Sequence, residues 1–191
     1  MSTVLLDQVC QLRKGITKKR LEQPNGTLYG VFQITQINTI NLDPPSETAM
    51  LDPIKTAPHA LQPNQVLISL IGQHVQAGVV PDLNSPMVAN ANLAVLTPDA
   101  VRLDAHYLAA LVRTTFFQAR LTERITGSVL PHISLDALRK VEIPLPSLEI
   151  QRAIADGFLT LEIYRSTAQR EFAFQESLLD AEVSQVLEVW A

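Results

Sequence analysis

The cationic and amide side chains of this sequence fall into groups that could grip a polyanion and read what it carries. Arg13, Lys14, Lys18, Lys19 and Arg20 crowd the first twenty residues against one acid, Asp7. Such a cluster sets up a local positive field, and it is also the composition of a plain solvated loop. Arg113, Arg120 and Arg124 recur with Phe117 along one helical stripe. Guanidinium groups in a row suit phosphates; on a solvated face they pair with carboxylates such as Glu123. Gln33 and Gln36, followed by Asn38, and the pair Gln73-His74 fall at predicted strand ends. A carboxamide there can read adenine through two hydrogen bonds in the major groove, or simply form a turn. Lys14, Lys18, Lys19, Arg20, Gln33, Gln36, Gln73, His74, Arg113, Arg120 and Arg124 are therefore the candidate nucleic-acid contacts.

Other chemistries find less support. His59, His74, His106 and His132 are scattered, with no i,i+4 pair and no partner cysteines, so no metal site is expected. His132, Ser134 and Asp136 crowd one small turn without a nucleophile-elbow sequence, and Ser134 is better placed as a helix cap. No phosphate-cradling glycine loop and no methyltransferase-like glycine motif occurs. The sequence predicts neither catalysis nor a bound cofactor.

The elements that must position these groups read as a mixed α+β arrangement. A first strand is expected over Val4 to Val9, with RKGITKKR after it as a loop. Pro24-Asn25-Gly26 signals a turn, and Leu28 to Ile34 alternates as a strand. Residues 43–65 hold five prolines without periodicity and read as a long ordered loop. Val66 to Ile71 is an apolar run suited to a buried strand, and Met87 to Leu96 another strand, with Asn90 and Asn92 on one face. Asp104 can cap a helix running to about Ile125, with Leu108, Leu111, Val112, Thr115 and Ala119 as its buried stripe.

Gly127 to Ile154 organises the rest. Ser134 caps a short helix over Leu135 to Arg139. Val141, Ile143 and Leu145 then alternate with Glu142 and Pro144 in a strand that proline confines to an edge. Ser147 caps a helix of about forty residues, or about 60 Å at 1.5 Å per residue. Ile154, Phe158, Leu161, Ala168, Phe172, Leu179 and Val186 keep a spacing of three and four along it, the pattern of a coiled-coil seam that needs a partner; Arg165, Gln175 and Glu182 interrupt it.

Composition bounds the class. With 191 residues, 47% apolar content and 12 prolines, the chain supports one ordered core and a small appendage. No apolar run approaches the roughly 20 residues of a membrane span, and the single Cys10 fits a reducing cytoplasm. The net charge of −4 is unevenly placed: residues 149–191 carry eight acidic and three basic side chains, so the remainder is slightly basic. Residues 1–146 are expected to form one domain and 147–191 a helix leaving it.

The run VLPHISLDALRKVEIPLPSLEIQRAI resembles the end of a target recognition domain and the start of the spacer helix in type I restriction-modification specificity subunits. LLDQVCQLRKGIT resembles that family's opening strand and turn, LQPNQVLISLIG its Gly-Asp strand, and LDAHYLAALVRT its recurring helix. Three departures stand out: Asn64-Gln65 replaces Gly-Asp, Ile150 replaces the Glu before Gln, and a second recognition domain is missing. The resemblance implies a β-rich target recognition domain with small helices and a long C-terminal coiled-coil helix. It implies a cytoplasmic, non-catalytic subunit that binds double-stranded DNA and reads one half of a bipartite site. Its partners would be a type I methyltransferase subunit, a restriction subunit, and a second copy joined through the helix. Two rivals stay open: a regulator that docks on a methyltransferase without reading DNA, and a small hydrolase using Ser134 or Cys10.

Overall fold

The computed structural model describes residues 2–82, 84–123 and 131–188. The chain divides into two compact units, Met1–Ala155 and Asp156–Ala191.

The first unit begins with β1 (Ser2–Leu5), which Gln8 turns into a 3-10 helix at Leu6–Gln8 by accepting the Leu5 N–H. The strand expected to reach Val9 therefore ends early. The polar stretch read as a loop starts inside the next strand, β2 (Cys10–Lys14), followed by a 3-10 turn at Lys18–Arg20. β3 (Glu22–Phe32) contains Pro24-Asn25-Gly26, which marks a register shift between Glu22 and Thr27 instead of a chain reversal. The proline-rich segment holds three elements, β4 (Thr48–Leu51), α1 (Pro53–Thr56) and a 3-10 turn at Ala57–His59. Asp52 caps α1 by accepting from the Ile54 and Lys55 amides. Fully buried β5 (Val66–Ser69) and β6 (Ala77–Val79) come next.

The single strand expected over Met87–Leu96 is two, β7 (Met87–Ala89) and β8 (Leu93–Pro98), in different sheets. An Asx turn at Asn90, whose Oδ1 accepts the Asn92 N–H at 3.0 Å, redirects the chain between them. The long helix expected after Asp104 is also divided, into α2 (Ala105–Val112) and α3 (Thr115–Thr122). Thr114 makes the break: its hydroxyl donates to Leu111 O at 2.6 Å and accepts the Phe117 N–H at 3.2 Å, capping the new helix. The change of axis buries Phe117 and Leu121 and leaves Thr115 and Ala119 exposed, against the expected stripe.

Ser134 caps α4 (Leu135–Arg139) as its sequence predicts, accepting the Ala137 N–H at 3.0 Å. β9 (Glu142–Leu145) pairs antiparallel with β1, and α5 (Leu148–Glu188) follows. A four-stranded antiparallel sheet runs β2-β8-β5-β6, and a three-stranded one β4-β3-β7, with β3 and β7 parallel. Phe32, Ile37, Leu67, Leu93 and Val95 pack one core cluster, and Ile16, Tyr29, Val31, Leu51 and Val88 another. α2 packs on β5 and β6, burying seven of its eight residues.

Two polar residues hold the frame. Asn64 takes a left-handed φ of 63°, so the resembled family's glycine is met here by one of the few other residues that tolerate it. Gln151 is fully buried and satisfied: its Oε1 accepts the Asp104 N–H at 2.8 Å, and its Nε2 donates to Arg102 O and Pro146 O, both at 2.9 Å. With Ala155 it binds the first two turns of α5 into the compact unit.

Candidate nucleic-acid interface

Sheet register decides which candidate residues can meet. Lys14 pairs with Ala94, and Ser69 with Leu93, so β2 and β5 both end where β8 begins. The Asn90–Asn92 turn sits at that end and is held from three sides by backbone. Gly15 N–H donates to Leu93 O at 2.9 Å, and Ile16 N–H to Ala89 O at 2.8 Å. Asn90 N–H reaches Phe32 O at 3.0 Å, and Leu70 N–H reaches Asn92 O at 2.9 Å. Gly15 is required by this closeness, since a Cβ there would stand 2.1 Å from Asn90 O. The loop leaving β5 turns at Gly72, φ +124°, whose N–H donates to Pro131 O at 3.0 Å.

One end of the four-stranded sheet thus gathers three segments distant in sequence: Lys14 to Ile16, the end of β3 at Phe32–Gln33, and the start of the Gly72–His74 loop. Lys14, Gln73 and His74 are exposed, as are Lys19 and Arg20 in the 3-10 turn, after which Leu21 O accepts the Asp52 N–H at 2.8 Å. Lys18 is engaged, its Nζ 2.6 Å from Glu47 Oε1 and 3.8 Å from Glu22. The hydrogen bond with Glu47 raises the Lys18 pKa above the usual lysine range and holds the Glu47 carboxyl below the usual carboxylate range. Gln33 donates its Nε2 to Glu47 Oε2 at 2.8 Å. Gln36 Oε1 accepts the Gln33 backbone N–H at 2.8 Å, and its Nε2 donates to Ser46 Oγ at 3.3 Å. Glu47 was missed in the sequence, where it is one acid in a proline-rich stretch.

Among the described residues the arginine stripe is divided, Arg113 and Arg120 falling on either side of the break at Thr114. Arg113 lies beyond the end of α2 and donates to Ala77 O at 2.8 Å and Asn38 O at 3.0 Å, so it holds loops in place. Arg120 lies on α3, its guanidinium 4.2 Å from the Phe116 ring centre. Arg124 lies outside the described residues. Phe117, placed on the stripe by its spacing, is fully buried. On the same helix Gln118 braces the Gly72–His74 loop, accepting the Val75 N–H at 3.1 Å and donating to Val75 O at 2.8 Å.

The groups that suggested hydrolysis are otherwise employed. Ser134 Oγ caps α4, and Asp136 pairs with Arg139 at 2.6 Å. Cys10 is buried, and desolvation, with Asp99 nearby, pushes its thiol up to about 12, leaving almost no thiolate at neutral pH. Among the described residues no cluster of three His, Cys, Asp or Glu could hold a metal ion, and no helix is long and apolar enough to cross a membrane.

On α5, Ile154, Leu161, Ala168, Phe172 and Leu179 of the expected seam are exposed, and Phe158 is half-buried. The Val186 side chain lies outside the described residues. Leu178, Val183 and Leu187 widen the apolar surface toward the distal end beyond what the seven-residue spacing indicated.

Comparison with known proteins follows the same lines. A "Type I restriction enzyme MjaVIII specificity subunit" of Methanocaldococcus jannaschii is 25% identical over 93 residues, which are 49% of this chain and 22% of that protein. Three solved chains share the fold. One comes from a structure concerned with complex assembly and conformational transition of the type I R-M system, with a TM-score of 0.65 and 22% identity over 94% of this chain and 42% of the other. The HsdS subunit of Thermoanaerobacter tengcongensis matches with a TM-score of 0.56 and 20% identity, covering 89% and 39%. The type I S subunit of M. genitalium matches with a TM-score of 0.51 and 18% identity, covering 88% and 40%. This chain spans about two fifths of those structures' lengths. The family model described as the type I restriction modification DNA specificity domain matches residues 1–170, and the chain belongs to that family of specificity, not catalytic, subunits.

Proposed function

We propose that this chain specifies DNA sequence for a type I restriction-modification complex, with its compact unit reading one half of a bipartite site. The observation that supports the reading is the convergence of the ends of β2, β3 and β5 on the Asn90–Asn92 turn, which brings Lys14, Gln33 and the loop carrying Gln73 and His74 toward one end of the sheet, with exposed Lys19 and Arg20 in the turn that follows β2. Exposed cations there can neutralise phosphates and set register, while amides and imidazole reach base edges. Adenine methylation and cleavage belong, in this reading, to separate methyltransferase and restriction subunits. The acidic outer face of α5 repels phosphates and suits docking of the methyltransferase subunit.

The exposed stripe on α5 is assigned to a second copy. In an antiparallel pair Ile154, Phe158 and Leu161 of one chain meet Phe172, Leu179 and Val186 of the other about a two-fold axis. Two identical reading units then select an inverted repeat with a fixed spacer. Selection from random double-stranded DNA tests the reading: two inverted half-sites at one spacing are expected. Enrichment of no sequence overturns DNA reading, and enrichment of a single half-site overturns the pairing.

A further inference from the structure

Gln33, Glu47 and Lys18 come from three separate segments and meet at the end of the sheet described above. Glu47 immediately precedes β4, and its carbonyl accepts the Val31 N–H at 2.9 Å, so its backbone is fixed to β3. Its carboxylate is divided between two donors, Oε1 taking Lys18 Nζ at 2.6 Å and Oε2 taking Gln33 Nε2 at 2.8 Å. The Gln33 backbone is fixed in turn by Gln36.

A carboxamide has two N–H groups and one carbonyl, and only its nitrogen can donate to a carboxylate. Glu47 therefore decides which way round the Gln33 amide lies. One N–H is used, and the second N–H and Oε1 have no partner among the described residues. One donor beside one acceptor is the pattern that pairs with adenine N7 and N6 in the major groove. Lys18 balances the charge of Glu47, so the carboxylate can stand at this edge with less repulsion of phosphates.

We infer that Glu47 is a positioning residue for base reading, clamping the Gln33 amide so that its free donor and acceptor meet an adenine. This rests on the DNA reading above. A free glutamine could present either orientation and would lose more rotamer freedom on binding; the clamp removes both costs before DNA arrives.

The test is selection from random double-stranded DNA by the full chain as wild type, Q33A, E47A and E47Q, with binding measured across a salt series. Wild type is expected to prefer adenine at one position of each half-site. Q33A should lose that preference by roughly 10- to 100-fold, the worth of one bidentate contact. E47A should weaken the same position several-fold and leave the others unchanged. Because it frees Lys18, E47A should also steepen the salt dependence by about one phosphate contact, the reverse of what a damaged fold would give. E47Q keeps an acceptor for Gln33 and should retain part of the preference. If E47A leaves the Gln33-dependent position intact, or if E47A and E47Q weaken every position equally, the inference is overturned while DNA reading stands. If wild type selects no sequence, both fall.

Discussion

In the compact unit Phe32, Leu67, Leu96 and Phe117 are wholly buried, whereas on α5 beyond Ala155 Leu161, Phe172 and Leu179 are 45%, 73% and 61% exposed. The residue types are similar; what differs is whether the chain supplies a second layer to cover them. The distal helix is self-sufficient in hydrogen bonds, its backbone paired within the helix and Thr160, Ser166 and Ser177 donating back to carbonyls one turn earlier. It is not self-sufficient in burial, and helical stability in water comes mostly from packing an apolar face. The difference gives folding to one region and, in the proposed function, association to the other.

The comparison breaks most decisively at the seam. Replacing Leu161 and Phe172 by Glu should weaken self-association by roughly 100- to 1,000-fold, since unpaired charge would be buried, and leave the unfolding midpoint of the compact unit unchanged. Light scattering and calorimetry check the two halves of that statement. A monomeric mass for the unmodified chain at tens of micromolar would remove the pairing altogether.

Gln151→Ala is the converse experiment. It leaves the Asp104 amide and the Arg102 and Pro146 carbonyls short of a partner, and should destabilise the compact unit by on the order of 3 kcal/mol in urea unfolding. Self-association should survive in native conditions. Within the compact unit, replacing Lys19 and Arg20 by Ala should reduce the salt slope of DNA binding by about two contacts. Adding Lys18→Ala should change it less, because that ammonium is already occupied by Glu47.

How much of this was legible follows locality. The Ser134 and Asp104 caps and the proline-marked edge strand β9 depend on residues a few positions apart, and they appear as read. Thr114 was hidden because a threonine inside an apolar-periodic run looks like part of the stripe until tertiary packing bends the chain there. β2 was hidden because its exposed Gln11 and Lys14 give an edge strand the composition of a loop. At the site, the charge of Lys19 and Arg20 could be read from sequence, but the meeting of Gln33 with Glu47 could not. It depends on β4 folding back antiparallel on β3.

Smaller effects sharpen the contrast further. The Glu47 carboxyl sits below its usual range, so its contribution is present at neutral pH and is lost only as pH falls through that lowered value. The Lys18 contribution, with a raised pKa, is fully present at neutral pH and is lost as pH rises through a value above lysine's usual range. The side-chain amide resonance of Gln33, followed from neutral to acidic pH, should shift later than an isolated carboxylate would dictate. On the helix, a Cβ at Gly157 meets nothing within 4 Å, so Gly157→Ala should add about 1 kcal/mol of helix stability, read by circular dichroism.

The strand edges bear on how such a chain behaves in a crowded solution. β6 is three residues long, β9 carries Pro144 and is followed by Pro146, and Arg139 lies over β2, its Nη2 3.5 Å from Leu12 O. Short, proline-bearing and covered edges give a stray strand little ladder to join. A protein that displays a long apolar stripe is thereby spared, at these three edges, a second and unselective way of sticking to itself.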